Sequence, residues 1–350
     1  MRANYFLSFL AACIYTYASS QIPAGYYSTA ENKSDQSLRA ALHNIIDDHK
    51  AYSYTSSSTD TWDILKEADA DPNNANNVLL VYTRESVNGA QEYASGSGWH
   101  REHVWAKSRG DFGIAPGAGP DVHNLRASNI NVNSYRSNYS FDDCTSNSCE
   151  NTFGNYYSSS SLIFEPRDED KGDVARIIFY MDVRYEGDNG ELDLEMTESR
   201  LSTSSKLPRH GVRSTLLEWH VQDPVDDFER NRNNVIYDYQ GNRNPFIDHP
   251  KLVEYLWGNK QNQQWNSTLS IALEMEDEVF IPNPVKTEYL NLESDINYTQ
   301  IEIIDMRGKV ICQLSGFVNR IKMPTSTGIY FLNLKYNNKV ILKKLIVGLF

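Results

Sequence analysis

Apolar and polar positions change rhythm twice along this 350-residue chain. The start carries one positive charge at Arg2, a short apolar run from Tyr5 to Tyr17, and the small residues Ala18-Ser19-Ser20. That run is too short to span a bilayer and predicts a secretory signal over residues 1–20, with the mature chain beginning near Gln21. Leu10-Ala11-Ala12-Cys13 offers a lipoprotein box as the alternative, which would anchor Cys13 to a membrane. No other segment is long and apolar enough to cross one. Residues 21–262 mix helical and strand periods, and two stretches stand out. If Val104 and Trp105 continue a strand after His103, Glu102 and His103 point to opposite faces. The run Ala127 to Asn138 has no Gly or Pro and predicts a helix with Asn129, Asn133 and Arg136 on one face. After the polar NKQNQQWNST at 259–268 and a short acidic stretch, the texture becomes brief alternating strands, YLNLES, QIEIIDM, KVICQL, IYFLNLKY and KVILKKLIV, broken by turns such as Arg307-Gly308 and Thr327-Gly328, which places a linker over 263–276. A mixed α+β unit over 21–262, a linker and an all-β, sandwich-like unit over 277–350 follow from this pattern.

Charge and cysteines refine the picture. The 33 Lys and Arg against 46 Asp and Glu leave a formal net of −13, unlike the basic footprint of most nucleic-acid binders. Between Trp99 and Phe141 the balance reverses, with Arg101, Lys107, Arg109, Arg126 and Arg136 against Glu102, Asp111 and Asp121. A local cationic cleft on an acidic protein predicts modest, salt-sensitive affinity for a polyanion. Of four cysteines, Cys13 leaves with the signal, Cys144 and Cys149 are spaced for a disulfide in an oxidising compartment, and Cys312 reads as a buried free thiol. The Asn-x-Ser/Thr sites at Asn32, Asn138, Asn266 and Asn297 include one inside the chemically richest segment, which favours a source that leaves such sites unglycosylated.

That segment, WHREHVWAKSRGDFGIAPGAGPDVHNLRASNINVNSYRSNYSF, holds what phosphodiester hydrolysis requires. Water needs a base, and a neutral imidazole such as His103 suits pH 7. A hard divalent cation takes oxygen ligands, keeps waters, and is often held by only one or two side chains; Glu102 and the amide oxygen of Asn133 fit so sparse a site. A strand carrying the base would then face a helix carrying a ligand.

REHVW at Arg101 to Trp105, DVHNL at Asp121 to Leu125 and VNSYRSNYSF at Val132 to Phe141 resemble the signature of the endonuclease I family, secreted or periplasmic nucleases of the His-Me finger (ββα-metal) class. The likeness extends through IPAGYY at Ile22, KGDVARIIFYMDVRYEG at Lys171 and the long run from Leu216 to Pro250. It implies a ββα-metal core, with His103 as general base and Glu102 and Asn133 as the metal's protein ligands. Mg²⁺ is the expected ion, with Mn²⁺ or Ca²⁺ as substitutes, and products with 5′-phosphate and 3′-hydroxyl ends are implied. Arg136 and Asn138 would support the site or the phosphate, Arg101 its edge, and Arg109 is the candidate for the arginine that assists the scissile phosphate. His123 reads as a buried brace. Ala106 and Ala127 stand where prolines are expected, and His100 where Asn is usual, departures that touch turn rigidity and leave the implied ligands intact. FIPNPV at Phe280, DMRGKV at Asp305, TGIYFL at Thr327 and the terminal KKLIVG resemble the carboxy-terminal sorting domain of type IX secretion, which implies that machinery as a partner and a secreted or cell-surface location.

DNA is the expected substrate, cut without sequence preference, and RNA the second. The rivals are an extracellular ribonuclease and a noncatalytic nucleic-acid-binding or surface protein that keeps the fold. A zinc protease is excluded, because His100-Arg-Glu-His103 has the wrong order for His-Glu-x-x-His. His220, His249, Glu218 and Trp219 read as scaffold, whereas Tyr237, Tyr239 and Arg243 are open between packing and substrate contact. Nothing sets the oligomeric state.

Overall fold

The computed structural model describes residues 22–267, 285–292, 298–305, 309–316, 320–336 and 339–348. The expected signal over 1–20, all of FIPNPV but Val285, and most of the expected linker lie outside them. Two compact units divide the chain, one built mainly from Ser34–Gln263 and the other from Gln264–Phe350, which also takes Glu31–Lys33.

The first unit is mixed α+β. It opens with α1 (Asp35–Ile46) and α2 (Thr61–Ala68), then a three-stranded antiparallel sheet of β1 (Ala70–Asp71), β2 (Asn74–Leu79) and β3 (Ser86–Asn88). Helix α2 starts where it does because Asp60 accepts from the amides of Trp62 and Asp63 while Asp63 reaches back, a capping box. An antiparallel pair follows, β4 (His100–His103) and β5 (Leu125–Ser128), and then α3 (Ile130–Arg136). A four-stranded sheet comes next, β6 (Ser140–Phe141), β7 (Glu150–Thr152), β8 (Asn155–Ser158) and β9 (Ile163–Glu165), in the order β6-β9-β8-β7. Helix α4 (Asp168–Arg184) leads to the parallel pair β10 (Glu195–Thr197) and β11 (Arg209–Val212), and α5 (Arg213–Gln222), α6 (Asp227–Gln240), α7 (Pro245–Asp248) and α8 (Leu252–Leu256) complete the unit. Helix α6 is bounded by the Asp226/Glu229 capping box and by Gly241, whose φ of +80° is the left-handed turn that glycine adopts at least cost.

Helix α4 is buried on nearly every face, so its charges are tolerable only when paired. Asp173 meets Arg126 at 3.0 Å, Arg176 meets Glu229 at 2.6 Å, and Asp182 meets Arg39 at 2.6 Å. Asp170, whose carboxyl burial pushes up to about 6, pairs with Arg84 and accepts the Tyr82 amide at 2.9 Å. These pairs tie the core to the loop that carries Tyr82.

Two sequence expectations are corrected here. The strand stops at His103 rather than running on through Trp105, because Asn124 captures both backbone groups of Trp105 with its side-chain amide, at 2.6 and 3.2 Å, and turns the chain. The helix does not begin at Ala127: Leu125–Ser128 pair with β4, and Asn129 caps α3 by accepting the Asn131 amide at 2.9 Å, so Asn129 is a cap and not part of a helical face.

The second unit is β-rich. Strands β12 (Tyr289–Asn291) and β15 (Arg320–Lys322) pair antiparallel, and β13 (Gln300–Asp305), β14 (Val310–Ser315), β16 (Gly328–Tyr336) and β17 (Lys339–Val347) form an antiparallel sheet in the order β14-β13-β16-β17. Alternate residues from both sheets, among them Leu290, Ile321, Ile303, Leu332 and Leu345, share one apolar cluster, as period-two patterning requires. Strand β15 was not apparent in the sequence. Cys312 is half-buried rather than buried and remains a free thiol, whereas Cys144 and Cys149 form the expected disulfide.

Residues 265–267 clasp residues 31–33: Asn32 donates to the Trp265 carbonyl and the Trp265 amide to the Lys33 carbonyl, both at 2.8 Å, and the Ser267 amide donates to Glu31. Trp265 is fully buried. A chain cut after Ser267 is therefore expected to fold and cut nucleic acid like the full mature chain. A chain cut after Asn262 loses these hydrogen bonds and is expected to be less stable by about 2 kcal/mol. Urea titration of the two truncations measures the difference, and equal midpoints would show the clasp to be idle.

Candidate active site

Strands β4 and β5 pair with His100 opposite Ser128, Glu102 opposite Arg126 and His103 opposite Leu125, and α3 follows one residue later. A cleft of about 500 Å³ opens between them, lined by Tyr54, Arg101, Glu102, His103, Lys107, Asn133 and Asn138 among others. A larger cleft of about 670 Å³, lined by Arg39, Asp182, Glu186 and Glu195, contains no imidazole, and its Arg39 is already paired with Asp182 and Glu186. Chemistry, not volume, selects the first.

His103 is held in one orientation. Its Nε2 lies 2.8 Å from the Gly119 carbonyl, an acceptor, so Nε2 carries the proton and Nδ1 is left as the ring's proton acceptor. Gly119 reaches that position because the loop folds tightly: a Cβ there would lie 2.5 Å from the Gly113 carbonyl oxygen. The ring stacks on Tyr54, with centroids 5.5 Å apart and planes 23° apart. Tyr54 is backed in turn by the Arg101 guanidinium, 3.4 Å from its centroid and 4.0 Å from that of Trp62. Arg101 also donates to Thr61 Oγ1 at 2.8 Å and Thr55 Oγ1 at 3.0 Å. Burial first, and the Lys107 ammonium second, push the His103 imidazole down to about 3.

Glu102 is nearly buried, and its Oε1 accepts from the Tyr82 hydroxyl at 3.0 Å and faces Arg136 Nε at 2.9 Å. Burial raises its carboxyl above the ordinary range, with Arg136 opposing. Tyr82 sits at φ +72°, a left-handed conformation that costs a non-glycine residue about 1–2 kcal/mol. Its amide bond to Asp170 holds it there. Asn133 is half-buried on α3 and lines the cleft; its Nδ2 lies 3.4 Å from Ser128 Oγ, and among the described residues its Oδ1 accepts no hydrogen bond. Glu102 and Asn133 thus present hard oxygen donors beside an oriented imidazole, a set that fits a sparsely held divalent cation.

Other expected residues surround this centre. Arg136 is fully buried, donating to the carbonyls of Ser137 and Val104 and to His210 Nε2 in addition to its pair with Glu102. Asn138 Nδ2 ties Ser108 Oγ to the Thr203 carbonyl, at 2.8 and 2.9 Å. His123 is buried against Tyr180 with its Nε2 3.2 Å from the Asn242 carbonyl, the position of a brace. Arg109 has a different place from the one expected. It is fully buried, and its terminal nitrogens are spent on the carbonyls of Ser202, Ser205, Asn138 and Leu201, so it holds a loop and does not reach the cleft. Arg243 is likewise committed, to Asp248, which settles it as packing. Tyr82, Tyr54, His210 and Gly119 were not legible in the sequence, since each acts across a long separation; the Gly/Pro density of residues 113–120 was the only hint of a tight loop. Away from the cleft, His43, Asp47 and Asp188 bring ligand atoms within 4.8 Å of one another, but Arg184 already neutralises Asp47 at 2.9 Å.

Comparison with known proteins gives the family of the chain. The Endonuclease I family matches residues 34–251, and the secretion system C-terminal sorting domain matches residues 279–348. The chain is 50% identical over 233 residues to an extracellular ribonuclease of Bacillus subtilis, covering 66% of this chain and 78% of the relative. The same figures hold for an extracellular ribonuclease of Bacillus amyloliquefaciens. It is 27% identical over 130 residues to Endonuclease-1 of Buchnera aphidicola, covering 36% of this chain and 45% of that protein. A mixed α+β unit with a sorting domain behind it defines a nuclease that works outside the cell or at its surface. The chain belongs to the endonuclease I family.

Proposed function

We propose that this nuclease is a divalent-metal-dependent endonuclease that hydrolyses DNA and RNA with little sequence preference, using β4, β5 and α3 as a ββα-metal core. The observation that carries the reading is the His103–Gly119 bond, which leaves Nδ1 as a proton acceptor beside Glu102 and Asn133. His103 takes the proton from the attacking water. Glu102 and Asn133 hold the cation, Mg²⁺ before Mn²⁺ or Ca²⁺, which when bound neutralises charge on the phosphate and the departing oxygen. Arg136 and Tyr82 both engage Oε1 and so fix the carboxylate's direction. Attack that expels the 3′ oxygen gives 5′-phosphate and 3′-hydroxyl ends. The β-rich unit is read by the type IX secretion machinery.

Incubating the mature protein with plasmid and with RNA, each with and without chelator, tests the reading. Cleavage of both, silenced by chelator, is expected. Cleavage of RNA beside intact plasmid would favour the extracellular ribonuclease, a reading supported by the names of the two Bacillus relatives.

The pH profile carries a signed expectation. His103 works in its neutral form, and its depressed pKa of about 3 keeps it neutral well below the ordinary 6.5. Acid should therefore not remove the base near pH 6.5. Glu102 must be ionised to hold the cation, and its raised pKa makes it the group that fails first on acidification. The acid limb of kcat/KM is expected to move to lower pH as Mg²⁺ is increased. A limb fixed near 6.5 at every Mg²⁺ concentration would assign it to an ordinary histidine instead.

A further inference from the structure

The segment from Trp99 to Phe141 has five basic residues, and the fold engages four of them in contacts with other protein groups. Arg109 is occupied by carbonyls, Arg126 is buried between Asp69 and Asp173, and Arg136 is buried against Glu102. Arg101 lines the cleft, but its guanidinium is held over the rings of Tyr54 and Trp62 and bonded to Thr61 and Thr55. Lys206, across the loop, is paired with Asp111 at 2.6 Å.

Lys107 is different. It lines the same cleft as Glu102, His103 and Asn133, is exposed, and among the described residues makes no ion pair or side-chain hydrogen bond. Its Nζ stands 5.9 Å from the centroid of Tyr54, the ring that stacks on His103. Three residues and the Asn124-held turn separate it from His103, so a flexible stem starts near the base and ends in an uncommitted ammonium. A phosphodiester carries one negative charge, and the pentacoordinate state formed by water attack carries two on its equatorial oxygens. A mobile point charge at the cleft edge can follow that increase, which a buried guanidinium bonded to carbonyls cannot.

We propose that Lys107 is a catalytic residue whose ammonium contacts a non-bridging oxygen of the scissile phosphate, the part that the sequence had suggested for Arg109. This rests on the cleft being the hydrolytic site. Lys107 transfers no proton and forms no bond; it donates hydrogen bonds to an oxygen whose charge grows as the P–O bond to water forms.

Lys107→Ala, Lys107→Arg and His103→Ala are compared on one DNA duplex at saturating Mg²⁺. Lys107→Ala is expected to lower kcat/KM by about tenfold to a hundredfold, mostly in kcat, and to flatten its dependence on log salt by about one unit. Lys107→Arg, which keeps the charge, is expected to stay within about threefold of wild type. Lys107→Ala within twofold of wild type, or Lys107→Arg as impaired as Lys107→Ala, would overturn the proposal, because only the charge is assigned a role. His103→Ala reads the hydrolytic site itself: an active His103→Ala sinks the underlying reading, whereas an inactive one with a normal Lys107→Ala sinks this inference alone.

Discussion

His103→Ala is expected to lower kcat by about a hundredfold to ten-thousandfold with the fold intact. The size follows from what is lost: the oriented imidazole beside Glu102 and Asn133 whose Nδ1 is free to accept a proton. The fold should survive because the ring borders the cleft, so water can enter its place and satisfy the Gly119 carbonyl. His103→Gln sharpens the test. Its amide nitrogen reaches the position of the ring's Nε2 and can still donate to Gly119, so the brace is kept and only the base is removed, and this variant should be as inactive as the alanine. Plasmid nicking together with thermal unfolding decides it. Near wild-type rates in either variant would show that His103 is not the base.

The second large effect concerns the cation. Exhaustive chelation should silence the wild type, and Asn133→Ala should weaken the site by at least the tenfold to hundredfold that outer-sphere partners commonly cost, with activity partly restored at high Mg²⁺ or Mn²⁺. Glu102→Gln should behave alike but with a further cost. Arg136 is fully buried, and neutralising Glu102 takes away the charge it is paired with; breaking such buried pairs costs about 3–5 kcal/mol when the partner is removed outright, and an amide that still accepts a hydrogen bond should spare part of that. Asn133, half-buried and with its side chain bonded among the described residues only to Ser128, is thus the cleaner probe of the metal, and Glu102→Gln must be assayed with its stability measured beside it. Full activity in the chelated wild type would overturn the mechanism.

The chemistry-bearing residue types and their order were legible in the sequence because they lie within one continuous segment, Arg101 to Asn138. So were the alternation of the carboxy-terminal strands, the Cys144–Cys149 pair and the division into an α+β part and a β part, since period-two patterning, short cysteine spacing and shifts of texture are local signals. Element limits were less legible. Asn124 ends β4 and Asn129 starts α3 through side-chain bonds to the backbone, and periodicity does not register such bonds. What each charged side chain faces was decided by tertiary structure alone. Arg109, Arg136 and Lys107 are all cations of one short stretch, yet the fold buries the first among carbonyls, the second against Glu102, and leaves the third exposed at the cleft. Tyr82 comes to Glu102 from twenty residues upstream because α4 holds its amide with Asp170. A sequence determines which groups are present and their local geometry; desolvation and pairing, which decide whether a charge braces the scaffold or meets substrate, depend on neighbours that only folding brings together.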